Sequence, residues 1–155
     1  MQETAHIDKI SESSSGQTPA QRNLVDRIIT AWALSEAALG GILHALRLPF
    51  TGLFVGGMAV VFIILLARFD SRRYGILRAT LLVMIVKLLV SPHAPINAYL
   101  AIAFQGLTGT LLFRFIKNIR VASLLLGILC LLQSSLQKLL IITLVFGMNF
   151  WKARL

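Results

Sequence analysis

Lys138 is an ammonium group in a long apolar run, and the chain holds no carboxylate side chain after Asp70. An ionisable group within a membrane span costs about 2.5–3.5 kcal/mol at the bilayer centre and marks a functional site by default. Gln133, Ser134, Gln137 and Lys138 fall at helical i, i+4 spacing, so they share a face. Such a face is expected to turn into a helix bundle, where an anionic or polar ligand can pair with the lysine. Lys138 lies about 25 Å along its run.

Lys87 is the second such cation. It either snorkels to an interface or joins the same ligand set. Glu36 is the only acid away from the ends of a predicted helix. His44 lies two turns beyond it on the same face, roughly 12 Å away, too far for a direct hydrogen bond. Gln105 falls mid-helix, where an interhelical hydrogen bond is expected ahead of a ligand contact. The candidate ligand-binding set is His44, Arg47, Lys87, His93, Asn97, Gln133, Gln137 and Lys138. These cations and amides suit a small polar or anionic solute.

Other chemistry is poorly served. Scattered histidines make no metal site. The sequence has no nucleotide-binding loop, no His-Glu-x-x-His and no Gly-x-Ser-x-Gly. Six acids in 155 residues are too few for acid–base or magnesium-dependent catalysis. No catalytic residue and no cofactor are expected, and the chain is read as a non-enzyme. Active transport would then draw its energy from another chain. Cys130 lies in an apolar run and reads as a small buried apolar residue.

The elements that position these residues are apolar. The chain is 57% hydrophobic and 14% charged, with a mean hydropathy of +0.81. Soluble domains average roughly 45–50% and about 25%. The predicted fold is all-α, a polytopic transmembrane bundle of about five spans. The spans run from Val25 to Leu46, Phe50 to Ala67, Tyr74 to Val90, Asn97 to Phe115 and Val121 to Trp151. The last is longer than a bilayer needs and is expected to tilt, kink near Gln133 or emerge near Gly147. Residues 1–22 are polar and lack the apolar stretch of a secretory signal. They read as a disordered cytoplasmic tail, leaving 23–155 as the transmembrane domain.

A net charge of +9 and a pI near 10.9 would suit nucleic acid. The basic residues instead flank apolar runs, so no nucleic-acid partner is expected. Arg68, Arg72, Arg73, Arg78, Arg114, Lys117 and Arg120 occupy two turns, whereas the alternate turns hold only Arg47. Seven against one places the basic turns in the cytoplasm and the N-terminus with them, in a plasma membrane. Five spans put the C-terminus outside, where Lys152 and Arg154 fit poorly.

Ala33, Ala37, Gly41 and Ala45 form a small-residue stripe along the first span. Small residues let a second helix approach closely. That helix belongs either to this chain or to a separate membrane subunit.

The stretch AWALSEAALGGILHALRLPFTGLFVGG resembles the opening of energy-coupling-factor (ECF) transporter S components. The stretch SPHAPINAYLAIAFQGLTGTLLF resembles the related heptaprenyl diphosphate synthase component I or Gx transporter group. The resemblance covers about residues 25–150. It implies a six-span fold, here lacking one helix, and vitamin-like or metal-related substrates. It also implies a transmembrane coupling subunit docked on Ala33, Ala37 and Gly41, with ATPase subunits behind it. Two alternatives remain: a non-transporting accessory or assembly protein, and a membrane subunit of a prenyl-lipid enzyme.

Overall fold

A computed structural model describes residues 17–45 and 51–152, except the side chains of 39–45, 51–52, 141–142 and 144–152. Five helices make up the described residues: α1 (Pro19–Ala45), α2 (Thr51–Phe69), α3 (Gly75–Val90), α4 (Ile96–Phe115) and α5 (Ile119–Lys152). No strand occurs among them. α5 runs without a break through Gln133 and Gly147.

α1 begins at Pro19, inside the stretch expected to be tail. The reason is a capping box. The Gln21 amide donates to Thr18 Oγ1 at 3.3 Å, and the Thr18 amide donates to Gln21 Oε1 at 3.4 Å. Pro19 follows Thr18, where its missing N–H costs nothing. The foot of α1 is also tied down from outside. Gln17 Nε2 donates to Asp70 Oδ1 at 2.6 Å, and Arg72 Nε donates to Gln17 Oε1 at 3.0 Å. Residues 1–16 lie outside the described residues.

α2 is the hub. It packs against each of the other four helices, whereas α1 touches only α2 and α3 among the described residues. The core runs along α2 through Ala59, Ile63 and Leu66 and takes in Val25 and Trp32 of α1, Val83 of α3, Ile102 of α4 and Leu126 of α5. Glycines set the close crossings. A Cβ on Gly109 would come 2.6 Å from Ile63 Cγ2, and one on Gly106 would overlap Thr80. Only a residue without a side chain permits these approaches.

The outer faces are apolar as well. Leu81, Ile85 and Leu88 of α3 and Leu100, Phe104, Leu107 and Leu111 of α4 are exposed at helical spacing. Leu124, Ile128 and Leu131 continue the pattern on α5. By length and composition, Ile96–Phe115 and Ile119–Leu140 can each cross a membrane, and Leu53–Phe69 is apolar but shorter.

Candidate functional site

α3 and α4 are joined by Ser91–Pro95, a turn that proline geometry forces open at both ends. It is pinned by backbone and side chain. The Ser91 amide donates to Lys87 O at 2.8 Å, and the Tyr99 hydroxyl donates to Ser91 O at 3.2 Å. Behind this turn, at the end of the bundle away from the basic turns, lies a cavity of about 670 Å³. All five helices contribute to its wall. Val55, Val90, Ala98 and Ile102 supply apolar surface, and about half of the lining residues carry polar side chains.

Five of the eight candidate ligand residues line this one cavity: Lys87, His93, Asn97, Gln137 and Lys138. They come from α3, its following turn, α4 and α5, so the fold brings together residues far apart in sequence. His93, Asn97 and Lys138 are exposed and sit at the rim. Gln137 is half-buried, and its Nε2 donates to Asn97 O at 3.3 Å, clasping α5 to α4. Gln133 is half-buried but does not line the cavity, and its Oε1 is shielded without a hydrogen-bond partner. The side chain of His44 and all of Arg47 lie outside the described residues.

Lys87 does not snorkel. It is 4% exposed, and its Nζ sits 2.8 Å from Glu36 Oε2, with Glu36 itself 2% exposed. A second donor of the same ammonium reaches the Glu36 carbonyl at 3.5 Å. Side chains on a helix lean toward its N-terminus, so the lysine arm runs back from the end of α3 into the bundle. There it meets the one acid deep in α1. The pair lies in the cavity wall. Removing one partner of such a pair leaves a buried charge unmatched, at a cost of about 3–5 kcal/mol. One turn from Glu36, Trp32 is fully buried.

Sequence reasoning expected an interhelical hydrogen bond at Gln105 ahead of a ligand contact, and the structure places this residue in the cavity wall. Gln105 is 2% exposed, lines the cavity, and leaves Oε1 shielded without a partner among the described residues. Its amide nitrogen fills the space above Gly56, where an added Cβ would come within 3.2 Å. Glu36, Gln105 and Gly56 thus belong to the site although the sequence reading left them out. The available signal was their mid-helix position in a chain with few polar residues.

With Glu36 included, the cavity is less cationic than expected. One carboxylate stands against the two ammonium groups of Lys87 and Lys138. No group of three or more His, Cys, Asp or Glu residues able to hold a metal occurs among the described residues.

The stripe on α1 is placed in part. Ala33 lies in the core and Ala37 is buried beside the cavity, so this half of the stripe packs the chain's own helices. At Gly41 and Ala45 only the helical backbone is described. Cys130 is a free thiol, buried at 4% exposure. No family model matches the chain, and no curated protein or solved structure matches it either.

Proposed function

We propose that the chain crosses the plasma membrane five times with its N-terminus in the cytoplasm. Its outer cavity captures a small polar solute, the part an S component plays for an ECF-type importer. A coupling subunit and ATPases would supply the energy. One observation carries the solute-binding reading: five polar residues chosen from sequence converge on a single cavity at the end away from the basic turns. The apolar outer stripes of α3, α4 and α5 support the membrane setting, because soluble domains rarely expose contiguous apolar surface on this scale.

A second reading, a membrane accessory protein with no solute, draws on Ala33 and Ala37. Both are buried within the chain, and both are residues that an S component would offer to its coupling subunit.

Thermal unfolding of the detergent-purified protein, run against vitamins and other small polar metabolites, separates the readings. Solute capture predicts at least one stabilising compound, with its effect abolished by Lys138→Met in a protein that still folds and inserts. Co-purification of ATPase and coupling subunits from the native host would support the transporter assignment. If no compound stabilises and no such subunits co-purify, the accessory reading prevails.

A further inference from the structure

The wall of the cavity holds a matched pair of charges and an unmatched amide. Glu36 and Lys87 neutralise each other at 2.8 Å, and both line the cavity. Gln105 is buried on the same wall with Oε1 unpartnered. That oxygen has acceptor capacity that the described residues do not fill.

Consider what each class of solute would do to the pair. An anion would draw Lys87 toward itself and strand the Glu36 carboxylate. A cation would draw Glu36 and strand the ammonium. Each exchange trades one buried ion pair for another and leaves a charge behind. A molecule carrying both an ammonium and an anionic group can sit across the pair and match both ends. Its N–H groups also offer a donor to Gln105. Val55, Val90 and Ile102 leave apolar room for the rest of the molecule.

We propose that Glu36, Lys87 and Gln105 form a recognition set for a zwitterionic solute with an apolar body. This rests on the solute-binding reading above and names its substrate class. It narrows the polar or anionic solute expected from sequence to one that carries both charges, because Glu36 offsets Lys87.

The test uses three probes of one shape: L-phenylalanine, hydrocinnamate and phenethylamine, which carry both charges, the anion alone and the cation alone. Binding to the detergent-purified full chain is read by thermal shift and calorimetry. L-Phenylalanine should bind about tenfold or more tighter than either singly charged probe, the scale of one charge-assisted hydrogen bond. Glu36→Gln should move the preference to hydrocinnamate, and Lys87→Gln should move it to phenethylamine. A purely structural ion pair would not invert the preference in this way.

Should both variants fail to fold, Gln105→Leu leaves the pair intact and should weaken L-phenylalanine about tenfold. Tighter binding of hydrocinnamate to the unmodified protein would overturn the zwitterion while leaving solute capture standing. No binding of any probe would overturn it too, and a hit in the metabolite screen would still support the broader reading. A short-chain phosphatidylethanolamine presents the same charges on a lipid. If it stabilises the protein where L-phenylalanine does not, the set recognises a lipid headgroup and the solute proposal falls.

Discussion

At the end that carries the basic turns, Asp70 is held by several donors and helices touch. Asp70 accepts from Gln17 Nε2 and from the Arg72 amide, and Gly75 packs so close to Asp70 that a methyl group would not fit. Val25, Ile63, Leu66 and Leu126 fill the space above. At the other end the same five helices leave about 670 Å³ open, with a shielded amide oxygen on Gln105. Close packing is the default for helix bundles, and buried polar groups normally find partners. The end with the cavity departs from close packing, and it is where the proposed solute site lies.

Several experiments can break or sharpen this contrast. The largest effect is all-or-none. Cysteines at Ser71 and Asn118, on the basic turns, should be shielded from impermeant thiol reagents in intact cells, while one at Ala94 should label fully. Labelling at Ser71 would turn the molecule over and place the cavity inside the cell.

Next comes the ion pair. Lys87→Met alone should destabilise the protein by about 3–5 kcal/mol, since Glu36 is left charged and buried. Glu36→Leu combined with Lys87→Met should recover most of that loss, because an apolar pair of similar volume suits its surroundings. A double variant as weak as the single one would show that the two residues do not act as a pair. Denaturant or thermal unfolding of all four proteins in the cycle supplies the comparison.

Gly109→Ala probes the packed region directly. The new methyl meets Ile63 Cγ2 across the α2–α4 crossing, and overpacking of this kind costs about 1–3 kcal/mol. Gly57→Ala on α2 is the control, since a Cβ there meets nothing within 4 Å. Equal Tm values for the two variants would mean that the crossing is looser than described.

The smallest effect belongs to the tie at the foot of α1. Gln17→Ala removes hydrogen bonds to Asp70 and Arg72 and should cost about 0.5–1.5 kcal/mol. The change should appear as faster amide exchange confined to the first turns of α1. Faster exchange around the cavity instead would mean that the two ends are coupled.

Much of the helical pattern was legible in the sequence, because apolar run length and proline placement are local signals. The predicted end of the third span at Val90 and of the fourth at Phe115 coincide with the observed helix ends. The start of α1 was missed because a polar composition drew attention away from Thr18 and Gln21, three residues apart before a helix. Lys87, His93, Asn97, Gln137 and Lys138 were chosen from sequence as polar groups in apolar surroundings, and they line one cavity. The Glu36–Lys87 pair was not anticipated. Depth along a helix is readable from sequence, but which helices neighbour one another is not. Lys87 was counted from the end of its helix when its side chain reaches back toward the middle. The cavity beside Gln105 was not legible for a related reason, since a mid-helix amide reads alike whether it meets a partner or a hole.

The hub position of α2 bears on how the molecule is made. α2 is the second of the described helices in chain order, yet two of the four helices it touches, α4 and α5, follow it by a helix or more. Ile63 meets Gly109 of α4, and Leu126 of α5 closes over the same spot. Until the ribosome has delivered some sixty further residues, that flank of α2 has no cover from its own chain. In the proposed membrane setting, lipid, the insertion machinery or a bystander helix occupies it meanwhile, and α4 and α5 displace that occupant to finish the bundle. A nascent chain stalled after α3 would therefore be exposed to mispairing along the face that carries Ile63.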